Sequence, residues 1–314
     1  MAALPAAPSR APLDRGDRPR HAQERRRGEV ALVPGAEGAA GALASRAVTA
    51  ALPLRGDPDE PLSALFFERP SPAALADVRC VRFEYTSRGD RVNGRLLLPR
   101  AAGGRRPLAL VGHGAGGAHD APYMDAVAGP WVRAGAAVAS IDFPLHGERR
   151  SAKLSEPLLA ALLGEADGVA PLAVDFAAQA VLDLRRALDA LAEHPEVDAA
   201  RSVYAGFSLG TLLGALFCAA EPRLRAAALA VGGAGFGPAA IDPARHIARF
   251  APRPVLFVNA TRDARIPRAR AEALHAAAAD PKQVLWFDCG HAELPGRALK
   301  AMWTFLAPHL APSG

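Results

Sequence analysis

The chain predicts an α/β fold, a mostly parallel sheet with helices on both faces, and three observations carry that reading. From residue 108 onward short apolar runs alternate with longer helical segments, the rhythm of strands joined by crossover helices. The pentapeptide Gly206-Phe207-Ser208-Leu209-Gly210 stands between one such run, Ser202 to Phe207, and a helix-like segment, Leu209 to Ala220. An aspartate and a histidine then follow, each just past a later apolar run, where open parallel sheets gather functional side chains.

Taken in order, residues 1–60 are rich in Ala, Pro, Gly and Arg, include Arg25-Arg26-Arg27 and show no sustained period. They read as a disordered extension, or as the product of an upstream start, before a catalytic domain over residues 75–312. Leu4 to Arg27 lacks the apolar stretch of a signal peptide, Asp14, Asp17 and Glu24 count against a transit peptide, and no run is apolar enough to span a membrane. The expected location is cytoplasmic.

Strands are expected over Val78 to Tyr85 and Val92 to Leu98, with Ser87-Arg88-Gly89-Asp90 as their turn, opening the sheet as an antiparallel edge. Next come a strand at Leu108 to Val111 and a helix from Pro122 to Arg133, in which Gly129-Pro130 is a candidate kink. A strand at Ala136 to Ile141 and a long helix near Leu172 to Leu191 lead to the elbow. Further strands are expected at Ala226 to Val231, Val255 to Asn259 and Val284 to Phe287. A last helix, Ala298 to Ala307, carries Met302, Trp303 and Phe305 as packing residues. The Leu-rich insertion at 148–173 reads as a small cap, and Gly232 to Phe250 as a second wall of the site.

Composition narrows the function classes. At 314 residues, half of them hydrophobic, the chain can bury a substantial core. The net charge is +5, and residues 1–60 hold nine basic and eight acidic side chains. No basic stripe is interleaved with aromatics, which argues against nucleic acid as a partner. Three scattered cysteines make no disulfide framework, and Cys289 reads as a small buried thiol. The nine histidines show no metal-ligand spacing. No metal or cofactor is therefore expected, and His119-Asp120 reads as the start of a helix capped by Asp120. Nothing in the sequence sets the oligomeric state.

The pentapeptide explains itself through sterics and charge. A G-x-S-x-G turn from strand to helix holds its serine in a strained conformation, exposed above the sheet, and the glycines admit the close neighbours. Serine needs a base to remove its proton during attack. His291, in Asp288-Cys289-Gly290-His291 after the run Val284 to Phe287, suits that work. Asp263, after the strand Arg253 to Asn259, would hold the other ring nitrogen and fix the tautomer. Asp288 and Glu293 are rival acids, disfavoured because they lie so near the histidine in sequence.

An oxyanion needs two donors. The Leu209 N–H opens a helix beside the serine. A second is expected from the glycine-rich exit His113-Gly114-Ala115-Gly116-Gly117, most simply the Ala115 N–H. The same exit satisfies G-x-G-x-x-G through Gly112, Gly114 and Gly117, with Asp142 ending the next strand, so dinucleotide binding is a rival. That rival leaves Ser208, Asp263 and His291 unexplained. His113 reads as a brace for the loop, and Asp142, His146 and Arg149 as a structural turn network.

From about Val78 to Leu310 the chain resembles the α/β-hydrolase-fold serine hydrolases. The stretches Val111-Gly-His-Gly-Ala-Gly-Gly117 and Ile141-Asp-Phe-Pro-Leu-His-Gly-Glu-Arg149 are most similar to the dienelactone-hydrolase-like and prolyl-oligopeptidase-like branches, which include small bacterial esterases. The resemblance implies Ser208 as nucleophile, Asp263 as acid, His291 as base, and Ala115 and Leu209 as backbone donors. Dienelactone hydrolases proper carry cysteine where this chain has Ser208, which argues against lactone specificity. Dehalogenases and epoxide hydrolases of this fold need aspartate there. The expected activity is hydrolysis of small to medium carboxylic esters through an acyl-enzyme, with a small-molecule ester as partner. Peptide or thioester hydrolysis by the same residues is an alternative, weakened for peptides by the missing propeller domain. A non-catalytic binding protein on the same fold is the alternative from another class.

Overall fold

A computed structural model describes residues 52–101, 103–163 and 170–312. Most of the expected 1–60 extension therefore lies outside the described residues. The sheet has nine strands: β1 (Leu65–Arg69), β2 (Val78–Ser87), β3 (Asp90–Pro99), β4 (Arg106–Gly112), β5 (Ala137–Ile141), β6 (Val197–Phe207), β7 (Leu224–Ala230), β8 (Val255–Ala260) and β9 (Lys282–Phe287). Their spatial order is β1-β2-β3-β5-β4-β6-β7-β8-β9. The pairs β1–β2, β2–β3 and β3–β5 are antiparallel, and every later pair is parallel.

Among the described residues six α-helices accompany the strands: α1 (Pro122–Arg133), α2 (Ser155–Leu163), α3 (Ala170–Glu193), α4 (Leu209–Ala220), α5 (Arg268–Ala277) and α6 (Gly296–Leu306). The central strands read as unbroken apolar runs because both sheet faces are covered. In β4, Leu108 and Leu110 join one core with the buried faces of α3 and α4, while Ala109 and Val111 join a second core with α1 and α6. Strand β8 divides likewise, Val255 and Phe257 to the first core, Leu256 and Val258 to the second. In α1 the buried Met124, Val127, Ala128, Trp131 and Val132 follow helical spacing, with Pro130 inside the helix. Trp131 stacks on Trp303 of α6, so Trp303 is packing as expected. No described helix is long and apolar enough to cross a membrane.

Three sequence expectations are corrected. The antiparallel edge is β1, not β2, and Leu52, Leu54, Leu62 and Phe66 pack on the first core, so ordered packing begins before residue 75. Helix α5 was not expected, because only Ala271, Leu274 and His275 are buried in a segment whose other residues are arginine, glutamate and alanine. Asp120 does not cap α1: the helix starts with Pro122 after Ala121, and no side chain caps it. Proline at the first helical position has no N–H to satisfy, which removes part of the need for a cap.

Candidate active site

The exits of β4, β6, β8 and β9 bring the sequence-selected residues together. Ser208 follows β6 with φ 54° and ψ −109°, and α4 begins at the next residue. The flanking glycines are required by contact distance. A Cβ on Gly206 would stand 2.3 Å from the Gly210 carbonyl oxygen, and one on Gly210 would stand 2.3 Å from the Gly112 oxygen. The Ser208 N–H donates to the Ala230 carbonyl at 2.9 Å. Thr211 Oγ1 lies 2.7 Å from that same oxygen and 2.9 Å from the Gly206 oxygen, and Tyr204 donates to the Gly210 carbonyl at 2.7 Å. The strained serine is thus held by the structure on every side.

His291 Nε2 lies 3.0 Å from Ser208 Oγ, and its Nδ1 lies 2.8 and 3.0 Å from the two Asp263 oxygens. Asp263 also accepts the N–H groups of Arg265 and Ile266 at 2.9 and 2.8 Å. A carboxylate on Nδ1 fixes the proton there and leaves Nε2 as the acceptor facing the serine. The rival acids are engaged elsewhere. Asp288 pairs with Arg262 at 2.6 Å, and Glu293 accepts the Gly290 N–H at 2.9 Å.

The β4 exit is clamped around one peptide unit. His113 is fully buried, its Nε2 accepts the Phe143 N–H at 3.2 Å, and its Nδ1 therefore carries the proton donated to the Gly114 oxygen at 2.8 Å. Burial pushes the His113 pKa down to about 4, so the ring is neutral near pH 7. The Gly117 N–H donates to the same Gly114 oxygen at 3.0 Å. The Ala115 N–H shares that peptide plane and points opposite the clamped carbonyl. His113 is the expected loop brace, and Ala115 lines the cavity beside Ser208 and Leu209.

One neighbour was missed. Tyr123, at the start of α1, accepts the Gly114 N–H on its hydroxyl at 2.8 Å. A tyrosine there has no sequence signal beyond its helix, because the contact spans a loop.

The cavity holding Ser208 encloses about 660 Å³. Its walls include Leu158, Leu159 and Leu162 of α2, Leu212 of α4, and Phe236 and Ile266. Described residues of the insertion, those of α2 among them, thus line the cavity, and Phe236 comes from the expected second wall. A separate hollow of about 740 Å³ between α6 and the β8–β9 edge holds none of these residues. Gly112 and Asp142 are committed to packing and internal hydrogen bonds, which opposes the dinucleotide reading. Cys289 is buried. Among the described residues, no group of three His, Cys, Asp or Glu side chains could hold a metal ion.

Residues 65–232, just over half of the chain, match the family described as acetyl xylan esterase (AXE1). The chain belongs to that family. As an AXE1 family member it is a carboxylic ester hydrolase with the α/β-hydrolase fold. An acetyl xylan esterase from Paenibacillus sp. R4 is 21% identical, covering 79% of this chain and 89% of its own, with TM-score 0.65. A cold-adapted esterase from an Arctic intertidal metagenomic library is 22% identical, covering 78% and 97%, with TM-score 0.64. A Klebsiella pneumoniae subsp. pneumoniae protein assigned as a dienelactone hydrolase is 18% identical, covering 80% and 100%, with TM-score 0.56. These likenesses carry the fold, in the branch the sequence suggested. No curated protein matches the chain.

Proposed function

We propose that this AXE1 family member is a serine esterase acting through an acyl-enzyme, with Ser208 as nucleophile, His291 as general base and acid, and Asp263 orienting the histidine. The observation that carries the reading is the unbroken hydrogen-bond chain from Asp263 through His291 to Ser208 at the wall of the cavity. His291 takes the hydroxyl proton as Ser208 Oγ attacks the ester carbonyl, and the Leu209 and Ala115 N–H groups receive the oxyanion. The imidazolium then protonates the leaving alcohol, and water repeats the sequence on the acyl-enzyme. A cavity of about 660 Å³ suits a small or medium ester. Acetyl esters are the natural first substrates, given the family description.

The test is labelling by a fluorophosphonate probe alongside hydrolysis of acetyl, butyryl and octanoyl esters and a thioester. Wild type should label and hydrolyse, and Ser208→Ala should do neither. Asp263→Asn should keep its fold and lose about 10³- to 10⁴-fold in kcat, because an amide permits the wrong tautomer. A folded wild type that neither labels nor hydrolyses would favour the binding-protein alternative.

A further inference from the structure

The turn after β5 is built with more buried polar structure than a connection needs, and it delivers one imidazole to the cavity. Asp142 is fully buried and accepts the N–H groups of His119 and Glu148 at 2.8 and 2.9 Å and the Asn93 amide at 3.0 Å. Burial alone would raise its pKa, yet these hydrogen bonds and the adjacent His119 hold the carboxyl well below the usual range. Arg149 closes the turn, reaching the Asp142 carbonyl at 3.1 Å, Asp183 at 2.6 Å and Asp90 at 3.0 Å. Between these anchors Leu145 and Gly147 take positive φ, 59° and 53°. A Cβ on Gly147 would stand 2.2 Å from the Asp142 carboxylate. Strain at a non-glycine residue persists where the surroundings over-determine it, and such sites cluster at ligand contacts.

Between these two positive-φ residues stands His146. Its ring packs 5.4 Å from His113 and 6.0 Å from Phe176, centroid to centroid, and the residue lines the same cavity as Ser208. Its Nδ1 lies 2.9 Å from the Pro144 carbonyl, so Nδ1 carries the ring proton and Nε2 is left with a lone pair. Among the described residues Nε2 has no hydrogen-bond partner. Asp142 and Arg149 are the structural network expected from sequence, whereas His146 is what that network presents. The cavity is also lined by the polar residues Arg150, Ser155 and Glu156, the last two on α2 with the leucines.

The geometry points to His146 as a specificity-determining residue whose Nε2 accepts a hydrogen bond from a hydroxyl on the bound ester. The inference rests on the Ser208 reading. Such a contact selects hydroxylated esters over their isosteric alkyl analogues, because the analogue leaves a desolvated acceptor unpaired. Burial lowers the His146 pKa, which keeps the acceptor form present at neutral pH.

The experiment compares isosteric pairs. On the alcohol side 2-hydroxyethyl acetate is set against propyl acetate, and on the acyl side methyl 3-hydroxypropanoate against methyl butanoate. Wild type should prefer the hydroxylated member of at least one pair, and the arm that shows it locates the hydroxyl. His146→Asn keeps a donor for the Pro144 carbonyl and removes the distal acceptor. It should cut that preference about 5- to 10-fold, mainly through KM, the size expected of one neutral hydrogen bond. His146→Gln places an amide oxygen near the lost nitrogen and should restore most of it. Absence of preference in both wild-type pairs overturns the inference, whether or not the variants fold. So does a variant that slows both members of a pair equally. Fluorophosphonate labelling of the wild type is a separate check, and its absence would indict the Ser208 reading instead.

Discussion

The two halves of the site are held by different physics. On the serine side, the ends of β4 and β6 and the start of α4 meet backbone to backbone, with no room for a methyl between Gly210 and Gly112. On the acid–histidine side, Asp263 and His291 sit on loops after β8 and β9, tied by a handful of hydrogen bonds and rimmed by the exposed pair Arg262–Asp288. Close packing tolerates almost no change of volume, whereas a loop held by hydrogen bonds tolerates volume and depends on donors and acceptors. The proposed mechanism needs both: a nucleophile fixed against a rigid oxyanion loop, and a base that changes charge during the reaction.

Among changes outside Ser208, Asp263 and His291, the largest expected effect tests that contrast directly. Gly210→Ala would place a methyl 2.3 Å from a backbone oxygen that can yield only by moving β4. It should destabilise the fold by about 1–3 kcal/mol and lower kcat on the order of 100-fold through displacement of the serine and oxyanion donors. On the other side, a Cβ on Gly290 would stand 2.9 Å from Glu293 Oε2, the far end of a flexible side chain. Gly290→Ala should therefore change kcat less than about threefold, within the small range usual for surface positions. Thermal melts and ester kinetics on both variants would check the difference, and equal losses would remove the distinction between the halves.

The same contrast explains what was legible in the sequence. Gly206 to Gly210 could be read because close backbone approach admits few residue types, and Ser208, Asp263 and His291 because parallel strands deliver their exits to one edge. The strands β4, β6 and β8, buried on both faces, stand out as apolar runs. Strand β1 was hidden because it lies at the edge with Leu65 and Phe67 exposed, so its pattern carries no clean alternation. Helix α5 was hidden because it buries so little. Tyr123 and the cavity-facing place of His146 depend on where loops fold back, which local composition does not encode.

Acid stability separates the halves next. His113 on the serine side and His275 beneath the acid loop are both buried, and burial pushes each pKa down to about 4. His275 packs against Phe257 and Trp286 and lies 3.2 Å from the Asn259 side chain. The unfolded chain protonates these rings near pH 6.5, so between pH 6.5 and 4 it binds more protons than the folded chain. Their contribution is complete above pH 6.5 and is lost as the pH falls toward 4. It amounts to roughly 3 kcal/mol for each ring. Melts at pH 7 and 4.5 should show His113→Gln and His275→Gln each reducing the acid sensitivity. Only His113→Gln should also lower kcat, because only His113 clamps the Gly114 carbonyl.

The smallest effect expected on the serine side belongs to Tyr123, which joins it through one hydrogen bond to a loop that His113 and Gly117 already restrain. Its hydroxyl accepts the Gly114 N–H, so Tyr123→Phe removes one restraint and leaves the neighbouring Ala115 peptide clamped. A neutral hydrogen bond contributes about 1 kcal/mol, which sets the expected loss in kcat at about fivefold. The loss should appear in kcat with KM unchanged, because the loop meets the oxyanion more strongly than the ground-state carbonyl. Tyr123 is 41% exposed, so water can replace the lost acceptor and stability should hardly change. If Tyr123→Phe instead cost as much as His113→Gln, Gly114 would depend on both its N–H and its carbonyl restraint. The serine side would then rest on side-chain hydrogen bonds as much as the histidine side does.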